Sequence, residues 1–222
     1  MSARTSASRF EAIRKRNRLI AMMPWLSRAS EVVQLVKASA RWRREGLYIP
    51  VPYALRRAML LTHAREIKAE VLVETGTYKG GTTWSLLHEF KKIVTIEVVP
   101  ELAALAKERF KRHDKVTVVK GDSAKVLAGI CAEIDVPCLF FLDGHYSGGI
   151  TGMGSGECPV VDELHAIFRN TKSPFRIVID DAREFGSDPA YPEVGEIVEI
   201  AGSYDPAMRV RVENDAILVY RP

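Results

Sequence analysis

The chain has 222 residues, 47% of them hydrophobic, and a formal net charge of +4. That length and composition suit one soluble domain with a sizeable core and an appendage, and no apolar run reaches the ~18 residues of a membrane span. The charge is uneven: residues 1–47 hold eleven Lys/Arg and three Asp/Glu, a balance of +8 that leaves −4 for the rest, so the basic character belongs to an N-terminal arm rather than to the body.

In chain order, the arm reads as two helical stretches, Arg9–Met23 and Ser27–Arg44, broken at Pro24. It lacks the small-residue cleavage site and unbroken apolar core of a secretory signal. Four roles are open to it: a helical lid or homodimerisation arm over the active site, an interfacial helix making peripheral contact with an anionic membrane, an RNA-binding arm, or an Arg-rich organelle transit peptide. Few aromatics interleave its basic residues, which argues against nucleic acid. Two prolines in Tyr48-Ile-Pro-Val-Pro-Tyr53 mark a linker, so the division falls at 1–47 and 48–222.

Beyond the linker a helix over Ala54–Ile67 leads into alternating strands and helices. The strands are Val71–Glu74, Ile93–Glu97, Val116–Lys120, Cys138–Leu142, Arg176–Ile179 and Ile217–Tyr220, with Arg209–Val212 as a seventh. The helices between them are Thr82–Phe90, Pro100–Arg112, Ser123–Ala132, Pro159–Arg169 and Glu193–Ala201. This alternation predicts an α/β fold, a doubly wound and mostly parallel sheet with helices on both faces. The last two strands fold back as an antiparallel hairpin around Glu213-Asn-Asp215. Cys131, Cys138 and Cys158 form no C-x-x-C pair and read as free thiols of a cytoplasmic protein.

The first strand runs into a glycine-rich turn, Glu74-Thr-Gly76-Thr-Tyr78-Lys-Gly80-Gly81-Thr82, and the second strand ends in Glu97, 21 residues after Gly76. Gly76 permits a tight turn, and Gly80 and Gly81 are expected to let the backbone approach a ligand. An acidic residue about 20 residues past such a turn is placed to grip a ribose hydroxyl pair. The spacing departs from the G-x-G-x-x-G of dinucleotide sites, because Tyr78 stands where the second glycine is needed. A carboxylate at Glu74 would repel a pyrophosphate and attract an ammonium or sulfonium, which favours S-adenosylmethionine and argues against a nucleotide-sugar or NAD enzyme.

On these residues the chain resembles the class I S-adenosylmethionine-dependent methyltransferases, whose first motif is E-x-G-x-x-x-G, over roughly residues 65–220. The resemblance implies a Rossmann-like sheet ending in an antiparallel hairpin. It implies that amides around Thr77–Thr82 face the methionine end of the cofactor and that Glu74 meets its ammonium. Asp122 and Ser123, after the third strand, would stand against the adenine amino group; the alternative is a plain helix cap.

Asp143 ends the fourth strand, and Asp180 and Asp181 end the fifth, at the carboxyl edge where open α/β sheets bind ligands. Three bare carboxylates repel, and a hard divalent cation relieves that repulsion. The pattern resembles the metal-dependent O-methyltransferases of the catechol and macrolide-sugar type. It implies Asp143, Asp180 and Asp181 as Mg²⁺ ligands and a small-molecule hydroxyl as acceptor. The alternative is that Asp180 or Asp181 only caps a turn. Here the chain departs from those families: Asp143-Gly-His145-Tyr-Ser-Gly-Gly leads into a loop, Ser147–Cys158, with five glycines, the last Gly156. His145 is read as a general base, a loop cap or a substrate contact, and the loop as a closing flap. His63, His88, His113 and His165 read as surface or packing residues, and Arg183-Glu-Phe185-Gly as lining of the acceptor pocket. Competing readings are a nucleic-acid or protein methyltransferase using the arm, and a non-catalytic binding protein on the same fold. Base methyltransferases carry Asn/Asp-Pro-Pro-aromatic after the fourth strand, where this chain has Asp143-Gly-His-Tyr.

Overall fold

The computed structural model describes residues 50–144 and 158–222, together with Val33, Val36, Lys37, Ser39–Trp42 and Arg44, which are helical. The chain separates into two compact units, Met1–Gly46 and Leu47–Pro222. In the first, Trp42 is buried while Val33 and Val36 are exposed; most of the arm lies outside the described residues, as do His145 and the glycine loop through Gly156. No helix among the described residues is long and apolar enough to cross a membrane.

The second unit runs α1 (Tyr53–Glu66), β1 (Val71–Thr75), α2 (Gly81–Leu86), β2 (Lys92–Glu97), α3 (Pro100–Phe110), β3 (Val116–Lys120), α4 (Ser123–Ala132), β4 (Cys138–Leu142), α5 (Val160–Asn170), β5 (Phe175–Ile179), α6 (Val194–Tyr204), β6 (Arg209–Glu213) and β7 (Ala216–Tyr220). The seven strands form one sheet in the order β3-β2-β1-β4-β5-β7-β6. The first five are parallel, and β7 pairs antiparallel with both β5 and β6. This is the doubly wound α/β architecture expected from the alternation, with its antiparallel end. Strand order reverses between β1 and β4, so the carboxyl ends of these two strands form the switch point at which such sheets bind ligands.

The central strands are apolar on both faces because both are covered by helices. Side chains alternate between two core clusters. Val71, Val73, Val94, Ile96, Phe140, Leu142, Ile177 and Ile179 pack with α4, α5 and α6. Leu72, Ile93, Leu139, Phe141 and Val178 pack with α1 and with Leu86 and Phe90. The same period of two carries past the last apolar residues. Thus Glu74, Thr95, Glu97 and Asp180 follow the parity of Leu72, Ile93 and Val178 and fall on the α1 side of the sheet.

Helix α2 is shorter than the predicted Thr82–Phe90 and stops at Leu86. Threonine and tryptophan near its start are weak helix formers, and the chain turns after Leu86 so that Phe90 enters the core at 3% exposure. The β6–β7 hairpin closes through Asn214 and Asp215, both at positive φ (48° and 61°). Two left-handed residues make the turn whose twist matches the flanking strands, and Asn and Asp tolerate that conformation best after glycine. Cys131 and Cys138 are buried, Cys158 is half-buried, and all three are free thiols.

Candidate functional site

The glycine turn seats itself on the end of β4. Gly76 has φ +81°, and a Cβ there would lie 2.2 Å from the carbonyl oxygen of Asp143. Glycine is therefore required both by conformation and by space. The absent Cβ at Gly80 (φ +69°) serves the fold as well, since it would meet the Phe110 ring of α3 at 2.7 Å; a Cβ at Gly81 would face open space. The Gly76 and Thr77 amides both donate to the Ile96 carbonyl, at 3.0 and 3.1 Å. The turn is thus fastened between β2 and β4 before any ligand arrives.

Glu97 stands beside this turn at 5% exposure. The Tyr78 amide donates to its Oε2 at 2.7 Å and the Val99 amide donates to its Oε1 at 2.9 Å. Tyr78 reaches this position with φ +47°, an uncommon conformation for a bulky residue. A carboxylate offers about four lone-pair sites, so two amides orient the group and leave accepting capacity on each oxygen. That is the arrangement a pair of ribose hydroxyls needs.

Glu74 is more deeply placed than the sequence suggested. It is 1% exposed, and the Thr83 and Thr95 hydroxyls donate to its Oε2 at 2.5 and 2.6 Å. The Thr77 and Thr95 hydroxyls are 2.5 Å apart. With Glu74 ionised, Thr95 spends its one proton on the carboxylate and accepts from Thr77, which links the turn to the buried acid. Burial raises the Glu74 pKa from 4.5 to about 7 against the lowering effect of the threonine hydroxyls. Asp122 caps α4, accepting from the Ala124 amide at 3.2 Å, with Lys125 at 3.1 Å; Ser123 is buried beside it.

The second cluster lies along the same edge. Oxygens of Asp143, Asp180 and Asp181, one from each, all fall within 4.8 Å of one another. Burial raises the Asp143 pKa well above the ordinary value, and the neighbouring Asp180 raises it further, with Arg56 opposing. Two arginines that the sequence reading did not single out for this cluster supply positive charge. Arg56 of α1 places Nη2 2.6 Å from Asp180 Oδ2 and Nη1 3.7 Å from Asp143 Oδ2. Arg183 places Nη1 2.7 Å from Asp181 Oδ1 and also pairs with Asp215 of the hairpin turn. Asp181 has φ +57°, and its carboxylate is tied to the arginine two residues ahead. Among the described residues the cluster therefore contains four carboxylates and two guanidinium groups. Neither Arg56 nor Asp215 lies near Asp143 in sequence, and no local pattern marks them.

Phe185, expected in the acceptor pocket, lines a cavity beside Asp180 with Leu142, Ile179, Tyr191 and the buried Glu163. The Phe185 and Tyr191 rings meet edge-on with centroids 5.3 Å apart. Burial pushes the Tyr191 hydroxyl pKa upward. Among the histidines set aside as packing residues, His63 is buried and within 3.1 Å of an Arg176 nitrogen, and His165 shares a hydrogen bond with Tyr204.

No family model matches the sequence, and no curated protein matches it. Solved structures do. An O-methyltransferase from Bacillus cereus in complex with S-adenosylhomocysteine has a TM-score of 0.56 at 18% identity, over 86% of this chain and 89% of that one. The O-methyltransferase TomG from Streptomyces achromogenes, involved in tomaymycin synthesis and bound to S-adenosylmethionine, has a TM-score of 0.52 at 18% identity, over 83% and 87% of the two chains. A methyltransferase from Podospora anserina with bound S-adenosylhomocysteine has a TM-score of 0.53 at 19% identity, over 77% and 80%. The fold of this chain is that of the class I S-adenosylmethionine-dependent methyltransferases.

Proposed function

We propose that the protein is an S-adenosylmethionine-dependent methyltransferase that methylates a hydroxyl of a small molecule, a sugar or a phenol, at a site assisted by a divalent cation. The observation that supports this reading best is the shared carboxyl edge of the sheet. Glu97, held by the Tyr78 amide at 2.7 Å, stands at the end of β2, and the carboxylates of Asp143, Asp180 and Asp181 follow β4 and β5; only β1 lies between the two groups, and its turn residue Gly76 packs directly on Asp143. A nucleoside held at Glu97 has an acceptor site beside it.

S-adenosylmethionine supplies the electrophilic methyl group. Glu97 would accept from its ribose hydroxyls, Asp122 and Ser123 would border its adenine, and the turn from Gly76 to Thr82, with Glu74 below it, would hold its methionine end. The carboxylate oxygens of Asp143, Asp180 and Asp181 are close enough to share one hard cation, and such a cation, Mg²⁺ here, lowers the pKa of a bound hydroxyl. Asp143, whose proton affinity burial raises, would take the acceptor proton, with His145 the other candidate from its side-chain chemistry alone. Transfer of a methyl group then needs chiefly alignment of acceptor oxygen and methyl carbon, which rigid strand ends provide.

Calorimetric titration with S-adenosylhomocysteine, with and without Mg²⁺, on wild type and Asp143→Ala tests the reading. Binding of the nucleoside by both proteins is expected, with an effect of Mg²⁺ confined to the wild type. Absence of nucleoside binding would remove the enzymatic reading. Binding without any effect of Mg²⁺ would keep the methyltransferase and remove the cation.

A further inference from the structure

Helix α1 touches both halves of the site. The Tyr53 hydroxyl donates to the Gly81 carbonyl at 2.8 Å, and Arg57 donates through Nε to the Ser85 carbonyl at 3.2 Å while pairing with Glu89. These contacts clip one side of α1 to α2. Arg56, between them, points to the strand ends instead. Its guanidinium lies against Asp180 and Asp143, and its Cζ is 5.9 Å from the centre of the Phe141 ring. The side chain is 18% exposed, and that of Asp180 is 1% exposed. Arg56 Nε is buried and has no hydrogen-bond partner among the described residues, so its Nη contacts with the carboxylates hold the guanidinium in place. A guanidinium cannot shed its charge at any ordinary pH.

We propose that Arg56 is the resident counter-cation of the carboxylate cluster and competes with a divalent cation for Asp143 and Asp180. The inference rests on the cation reading above. The two cations draw on the same oxygens: Nη2 of Arg56 takes Asp180 Oδ2 at 2.6 Å, and that carboxylate is one of the three that lie within coordinating reach of one another. A metal and a guanidinium on the same pair of carboxylates, Asp180 buried and Asp143 half-buried, repel each other at short range, where solvent screens them less than at the surface. Metal entry therefore requires Arg56 to withdraw, and Arg183 cannot take its place because Asp181 and Asp215 already share it. Phe141 gives the withdrawn guanidinium no new partner, since it already lies beside that ring. The competition makes the site weak for metal and keeps its carboxylates charge-compensated when metal is absent.

The test is a Mn²⁺ titration of the full chain, with free Mn²⁺ followed by electron paramagnetic resonance, on wild type, Arg56→Gln, Arg56→Lys and the double variant Arg56→Gln/Asp180→Asn. Arg56→Gln is expected to bind Mn²⁺ roughly tenfold or more tightly than wild type, the scale of an ordinary coupling between two sites. Arg56→Lys is expected to show a smaller gain, because a compact ammonium does not reach both carboxylates as the planar fork does. Adding Asp180→Asn is expected to abolish the gain. Equal affinity in wild type and Arg56→Gln, or binding by neither, overturns the proposal. Should Arg56→Gln fail to fold by circular dichroism, Arg56→Lys decides: no gain over wild type overturns the proposal. Titration of the wild type with S-adenosylhomocysteine is read separately. Its failure would remove the methyltransferase reading and leave the Mn²⁺ competition standing.

Discussion

Replacing Glu74 by Gln should stabilise this protein, and only above mildly acidic pH. Glu74 is buried among Thr83, Thr95 and the end of β1, with its pKa raised from 4.5 to about 7. Below the ordinary value the folded and unfolded chains both hold the proton, and the group contributes nothing to pH dependence. Between 4.5 and about 7 only the folded chain holds it, so stability falls as pH rises. Above that range the folded chain carries a buried charge, and the accumulated penalty is about 3 kcal/mol. A glutamine keeps a carbonyl oxygen for the two threonine hydroxyls and never ionises. Urea denaturation of wild type and Glu74→Gln at several pH values should give equal stabilities near the ordinary carboxyl pKa. At mildly alkaline pH the variant should lead by up to about 3 kcal/mol. A variant that is less stable than wild type at alkaline pH, or a difference that does not change with pH, would refute the reasoning.

Other consequences are open to direct measurement. Gly76→Ala puts a Cβ 2.2 Å from the Asp143 carbonyl oxygen at a backbone φ of +81°. It should lower the unfolding free energy by more than ~2 kcal/mol, and a urea midpoint close to that of the wild type would show that the turn yields. Glu97→Gln removes the carboxylate charge from the proposed ribose contacts while the fold is retained. Calorimetry should show S-adenosylhomocysteine affinity falling by roughly ten- to a hundredfold, the worth of a hydrogen bond to a charged group, with an unchanged far-ultraviolet circular dichroism spectrum. Arg183→Gln takes away the guanidinium that Asp181 and Asp215 share. Thermal and urea unfolding should reveal a loss of about 2–4 kcal/mol, and a neutral effect would mean that the hairpin turn is not anchored through this arginine.

What could be read without coordinates was whatever depends on neighbours in the chain. The strands were legible because runs such as Cys138–Leu142 are apolar on both faces and are bounded by turn residues. The glycine turn and Glu97 were legible because a tight turn and a strand end are separated by a fixed length of helix. The three aspartates could be placed at one edge because parallel strands bring their carboxyl ends into register. Helix α2 was read too long because the need to bury Phe90 is a property of the packed core and leaves no local mark.

The amino-acid sequence by itself determined the alternation of strand and helix, the glycine turn at Gly76 and the carboxylates at the strand ends, because backbone conformation and side-chain parity follow from local chemistry. Only the tertiary structure decided how those carboxylates are neutralised. Arg56 arrives from a helix that precedes the sheet, and Arg183 is held between Asp181 and Asp215 of the hairpin that closes it. Charge pairing depends on distance in space, and distance in space is set by the packing of the whole sheet.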